Sequence, residues 1–97
     1  MLEKAVEAYL NKKVKEAGGL SYKWTSTIAG VPDRIVFLSG KVHFVELKTL
    51  TGVISPRQKI VFKDITDAGF PVEVLNSKET IDDFIQRQIT PVSTSHY

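Results

Sequence analysis

Arg34-Ile35-Val36-Phe37-Leu38-Ser39-Gly40-Lys41-Val42-His43-Phe44-Val45-Glu46-Leu47-Lys48 is the stretch on which the fold turns. Two runs rich in β-branched and aromatic residues flank Ser39-Gly40, a two-residue turn signal. The segment therefore predicts an antiparallel hairpin. The second run is apolar on both parities, with Val42 and Phe44 on one side and Val45 and Leu47 on the other. A strand apolar on both faces belongs inside a sheet. Glu46 and Lys48 lie on it two residues apart, so period-2 geometry gives them a common face. A charged pair on an inner strand calls for a reason.

Upstream of the hairpin, Ala29-Gly30-Val31-Pro32 reads as a loop, and Leu20 to Ile28 as a third strand. Leu2, Val6, Tyr9, Leu10, Val14 and Ala17 recur at helical spacing, and Gly18-Gly19 ends that helix. Downstream, Thr49 to Ile54 is a loop. Ser55 is an N-cap with Pro56 in the first helical position, and the helix runs to about Ala68 before Gly69. Pro71 to Leu75 is a short strand, and Asn76 or Ser77 caps a last helix to about Arg87. The order α-β-β-β-α-β-α is an α/β fold, a mixed central sheet flanked by helices, with one parallel pair from the strand-helix-strand succession. Residues 1–89 form one domain, and Thr90 to Tyr97, which includes His96, is a loose polar tail.

The chain has 97 residues and no cysteine. A disulfide scaffold, a thiolate zinc site and a cysteine nucleophile are excluded. No apolar run suits a membrane span, and no apolar secretory segment follows Met1-Leu2-Glu3-Lys4, so a cytoplasmic protein is expected. Net charge is only +2, but its distribution matters more. Lys12, Lys13 and Lys15 cluster, as do Arg57, Lys59 and Lys63. With Glu3, Glu7, Asp33 and Glu46 turned toward a cation, the remaining surface is clearly basic, which suits a polyanion.

The chemistry concentrates between Gly30 and Lys48. The hairpin folds Asp33 back beside Glu46, so two carboxylates and the Lys48 amine converge. Adjacent carboxylates repel, and one pKa rises unless a cation stands between them. Mg2+ or Mn2+ removes that penalty. Such ions take oxygen ligands and keep several waters, so Asp33, Glu46 and the Leu47 main-chain carbonyl suffice. Lys48 would then neutralise charge on an attacked phosphate or position the nucleophile. This is apparatus for phosphodiester hydrolysis. Standing alone, Glu-x-Lys is a weak motif, and Lys48 pairing with Glu46 on an exposed face is the bland alternative.

Gly30-Val31-Pro32-Asp33-Arg34 followed by Phe44-Val45-Glu46-Leu47-Lys48 resembles the VRR-NUC domain of the PD-(D/E)xK nuclease superfamily. Ser55-Pro56-Arg57-Gln58, Gly69-Phe70-Pro71-Val72 and Gly18-Gly19 carry the same likeness, which covers about residues 1 to 77. The small free-standing form is similar to phage nucleases and, more distantly, to archaeal Holliday-junction resolvases. The resemblance implies a restriction-endonuclease-like fold and an endonuclease, of a bacterial host's cytoplasm if phage-encoded. It implies metal-binding acids at Asp33 and Glu46 and a catalytic lysine at Lys48. It also implies an acid from the first helix, Glu3 or Glu7, with Glu3 preferred because it stands seven residues before Leu10 as the similar acid does in the resolvases. Gln58 matches a recurrent glutamine that would orient Lys48 or a phosphate.

DNA contacts are expected from Lys12, Lys13, Arg57 and Lys59, and from Arg34, for which an outward strand position is the equal alternative. Ser55 is read as a cap, although its helix N-terminus could hold a phosphate. His43 has the opposite parity to Glu46 and is read as packing or surface. Trp24 and Tyr22 are read as core or interface, and Asp64, Asp67, Asp82 and Asp83 as helix surface. One site cuts one strand, and concerted cutting of two strands requires a symmetric dimer. That arithmetic and the resolvase resemblance predict a homodimer on branched DNA, with no organic cofactor and no membrane partner. The rivals are a monomeric nuclease nicking flaps or duplexes, a DNA-binding module that does not cut, and a structural protein. With no base-reading motif, little sequence specificity is expected.

Overall fold

The computed structural model describes residues 2–89. The expected order is present: α1 Glu3–Glu16, β1 Leu20–Lys23, β2 Arg34–Leu38, β3 Lys41–Leu47, α2 Pro56–Asp67, β4 Val72–Leu75 and α3 Lys78–Ile89. The expected polar tail from Thr90, with His96, lies outside the described residues.

The hairpin turn places Ser39 at φ 55° and Gly40 at φ 75°. Two successive positive φ values match the twist of the strands they join. Both long-range helix ends follow from glycine. At the end of α1, Gly18 adopts φ 85°, and the Gly18 and Gly19 amides donate to Lys15 and Val14 carbonyls at 3.0 and 2.9 Å. At the end of α2, Gly69 and Phe70 repeat the pattern on Thr66 and Ile65. In each case the left-handed residue turns its neighbours' amides back onto otherwise orphaned carbonyls. Ser55 begins α2 as expected: its side chain accepts from the Gln58 amide, and the Gln58 side chain accepts from the Ser55 amide at 3.0 Å, a reciprocal capping box. Of the two candidate caps for α3, the Ser77 hydroxyl accepts from the Thr80 amide at 3.1 Å.

The four strands lie in the order β1-β2-β3-β4. β1–β2 and β2–β3 are antiparallel, and β3–β4 is the expected parallel pair, joined through α2. β3 is thus an inner strand. One sheet face carries Val36, Leu38, Val45, Leu47 and Leu75, which pack against Val6, Leu10 and Val14 of α1 and Ile81, Phe84 and Ile85 of α3. The other face holds α2 over only part of its width. Beneath it Trp24, Phe44 and Phe70 stack, while Tyr22, Phe37 and Val42 stay exposed.

One boundary differs from expectation. β1 ends at Lys23, not near Ile28. Its last pairing is Lys23 with Arg34, where β2 begins, and the Trp24 amide then donates to the Asp33 carbonyl at 2.9 Å. Past that point no neighbouring strand remains, and Ile28 turns its amide onto the Ser26 hydroxyl. β-Propensity without a partner does not make a strand.

Candidate active site

Glu46 is the pivotal side chain. It lies on β3, on the face covered by α2, and is 1 % exposed. Gln58 Nε2 donates to Glu46 Oε2 at 2.7 Å, and Lys48 Nζ stands 3.2 Å from the same oxygen. The second oxygen, Oε1, is buried with no hydrogen-bond partner. Burial pushes the Glu46 carboxyl above its ordinary range, and the Asp33 charge pushes it further, while Lys48 and Gln58 pull it back. A buried carboxylate with an unmet oxygen, beside a second carboxylate, is an unfavourable arrangement in a bare protein.

Asp33 is placed by the loop before β2. Its Oδ2 accepts from the Leu47 amide at 2.9 Å, beyond the last β2–β3 backbone pair, Arg34 with Val45. Asp33 and Leu47 also line a cavity of about 230 Å³ with Glu3, Lys4, Glu7 and Lys23. Asp33 thus stands between two surroundings: its charge acts on the buried Glu46, and it lines the cavity at the start of α1.

Among the described residues, no three Asp, Glu or His side chains gather closely enough to hold a metal by themselves. A cation of the magnesium kind does not need three, because it keeps waters and accepts main-chain oxygens. The unmet Glu46 oxygen and the raised Glu46 pKa are the features such a cation would relieve. The all-oxygen donors Asp33, Glu46 and the Leu47 carbonyl fit a hard divalent ion.

The family profile of the VRR-NUC domain matches residues 2–79. The chain belongs to the VRR-NUC domain family. The chain is 37% identical over 79 residues to "Putative nuclease p44" of Acyrthosiphon pisum secondary endosymbiont phage 1, an alignment covering 79% of this chain and 85% of that protein. A solved structure described as "VRR_NUC domain" superposes with a TM-score of 0.80 at 28% identity, covering 87% of this chain and 94% of its own. The fold is that of the family, and the chain is a nuclease domain.

In this VRR-NUC domain the residues expected to act are placed unequally. Asp33, Glu46, Lys48 and Gln58 come together. Gln58, expected to orient Lys48 or a phosphate, instead holds Glu46. Glu3 and Glu7 both line the cavity, but they differ: Glu3 is exposed, whereas Glu7 is half-buried and its Oε2 lies 2.6 Å from Arg34 Nη1. Arg34, expected to reach phosphate or to point outward, does neither. It is 9 % exposed, on the α1 side of the sheet, and also donates to the Ser21 hydroxyl and carbonyl.

Lys12 is exposed on α1, and Lys13 pairs with Glu16 at 3.4 Å; neither lines the acidic cavity. Arg57 Nε donates to the Ala29 carbonyl at 3.3 Å, and Lys59 is exposed. His43 sits edge-on to Phe84 at 5.2 Å, on the face away from Glu46, and burial lowers its pKa. Two lysines of the cavity, Lys4 and Lys23, escaped the sequence reading. Lys23 shares its strand parity with Ser21, and Lys4 lies three residues from Glu7, but only the packing of α1 over the ends of β1 and β2 brings them to Asp33.

Proposed function

We propose that this VRR-NUC domain is a divalent-metal-dependent DNA endonuclease, with one active site per chain. The observation that carries this reading is the buried, unpartnered Oε1 of Glu46 beside Asp33. Asp33, Glu46 and the Leu47 carbonyl hold Mg2+ or Mn2+, completed by an acid of α1. When bound, that ion polarises a phosphoryl oxygen and lowers the pKa of its water. Gln58 fixes the Glu46 carboxylate. Lys48, only partly exposed, keeps its ammonium where negative charge grows on the attacked phosphate. Lys4 and Lys23 border the cavity and supply cationic contacts to the backbone on either side. Arg57, Lys59, Lys12 and Lys13 give longer-range attraction to DNA.

Lys48→Ala tests the chemistry. The variant should bind DNA as wild type does and lose at least about a hundredfold in cutting rate. Unchanged cutting in Lys48→Ala, or in EDTA, removes the proposal, and binding without cutting in the wild type supports a silent DNA-binding module.

A homodimer acting on branched DNA, Holliday junctions included, is the finer reading. It is supported by one site per chain and by exposed Leu20, Tyr22, Phe37 and Val42 on the uncovered part of the sheet, an apolar patch of the kind that covers itself in pairs. The phage source of the similar nuclease suggests action in a bacterial cytoplasm. Light scattering gives the oligomer. Equal rates on four-way, flap and linear substrates would refute the structural preference, and a monomer cutting flaps or nicking duplexes would replace it.

A further inference from the structure

Glu46 and Arg34 are the buried charged residues among those described, and they lie on opposite faces of the sheet next to Asp33. Glu46 serves the site already described. Arg34 makes none of Glu46's contacts and is nearly withdrawn from solvent. Its guanidinium is instead bound at three nitrogens: Nε donates to Ser21 Oγ at 2.7 Å, Nη2 to the Ser21 carbonyl at 3.2 Å, and Nη1 to Glu7 Oε2 at 2.6 Å. The planar fork is thereby locked between edge strand β1 and helix α1. An ion pair with one buried partner is a weak stabiliser, because apolar replacements of similar volume commonly hold a fold as well. What the arrangement does provide is direction. Glu7 is held through a single oxygen, and the residue lines the cavity that contains Asp33 and Leu47.

We infer that Arg34, anchored by Ser21, is a positioning residue that fixes the Glu7 carboxylate at the metal-facing cavity, and that Glu7 rather than Glu3 is the α1 acid of the site. This rests on the proposed metal site. Glu3 is exposed in the first turn of α1 and has no hydrogen bond or ion pair among the described residues, so directing it toward a cation would cost its full rotamer freedom. Glu7 has already lost that freedom to Arg34. Arg34 takes Oε2, which leaves Glu7 a second oxygen for a cation or for a water that the cation keeps. The same contact explains why an arginine directly after Asp33 points away from solvent. It also excludes Arg34 from contact with DNA phosphate.

The test is a titration of the full chain with Mn2+ alone, read by the electron paramagnetic resonance signal of the free ion, on Glu7→Gln, Glu3→Gln, Arg34→Met, the Arg34→Met/Glu7→Gln double variant and Asp33→Asn. Glu7→Gln should weaken Mn2+ binding by about tenfold or more, and Glu3→Gln by less than about threefold. Arg34→Met should match Glu7→Gln, and the double variant should bind no more weakly than Glu7→Gln, since Arg34 acts through that one carboxylate. If Arg34→Met does not fold, Arg34→Lys, which keeps charge but not the fork, should still weaken binding. Wild-type affinity in Glu7→Gln or in the folded Arg34 variant, a larger loss in Glu3→Gln, or full additivity in the double variant would overturn the inference. Asp33→Asn separates the two readings. If it abolishes Mn2+ binding while Glu7→Gln binds Mn2+ as tightly as wild type, only the Arg34–Glu7 inference falls; if Asp33→Asn binds normally, the metal site itself falls.

Discussion

Glu46→Gln should make the metal-free protein more stable while destroying its activity. In the wild type, the net effect of the surroundings on Glu46 favours its neutral form, with burial the largest cause and Asp33 the second. An amide of the same shape removes the buried charge, can still accept from Gln58, and ends the repulsion with Asp33. Against this stands the lost pairing with Lys48, whose side chain is 19% exposed and can hydrate. Relief of an unsatisfied buried group is worth about 1–3 kcal/mol, and the lost pairing with Lys48, which can hydrate, offsets part of it. A net gain of about 1 kcal/mol corresponds to about 4–8 °C in Tm for a domain of this size. The pH dependence follows the same logic. Folded Glu46 holds its proton above the ordinary value of 4.5, so the folded chain binds more protons in that window, and stability falls as pH rises from 4.5 through the raised value. Glu46→Gln should lack this decline. Mn2+ reverses the ranking: at a hundredfold excess over its Kd it stabilises the wild type by about 2.7 kcal/mol and leaves the variant unmoved. Differential scanning fluorimetry in EDTA at pH 5 and 7.5, and again in Mn2+, reads all three effects. A variant melting below wild type in EDTA at pH 7.5, or equal Mn2+ shifts in both proteins, would refute the reasoning.

Gln58 both caps α2 and holds Glu46. Gln58→Ala should lose about 1 kcal/mol from the cap, whereas Gln58→Glu can keep the box but places a third carboxylate against Glu46 and should cut more slowly than wild type by at least about tenfold. Wild-type rates in Gln58→Glu would contradict that geometry. Leu10, fully buried between α1 and the sheet, should cost about 2–5 kcal/mol on truncation to alanine, measured by urea denaturation, and a loss below about 1 kcal/mol would show that the core is not packed as described. Gly19→Ala should also destabilise the fold, because its Cβ would stand 2.6 Å from the Phe37 carbonyl oxygen, where β1 begins against β2; an unchanged Tm would mean that this approach is looser.

Much of the architecture could be read from local rules because local rules govern it. Ser39-Gly40 admits a tight hairpin, Ser55-Pro56 with Gln58 opens α2, and the glycines after α1 and α2 turn the chain where side chains resist. Asp33, Glu46 and Lys48 were legible because strand parity and the hairpin fix their relative placement. The end of β1 was not, since it depends on where β2 begins and not on the composition of residues 24–28. Arg34 is instructive. It was expected at a phosphate or outward, although its parity with Val36 and Leu38 pointed to the core face, and only the position of α1 supplied Glu7 as partner. Lys4 and Lys23 become neighbours of Asp33 through tertiary packing alone, which no spacing in the chain records. The unmet oxygen of Glu46 is likewise a property of the assembled interior.

The hydrogen bond from the Leu47 amide to Asp33 has a bearing on how variants at that position are interpreted. The carboxylate stands in for a backbone acceptor just where the β2–β3 ladder runs out, so it also fastens the strand end that presents Glu46. An inactive Asp33→Ala protein would therefore confound a missing ligand with a frayed strand, two lesions of different origin. Asp33→Asn, which keeps the acceptor and removes only the charge, is the substitution from which a ligand role can be argued.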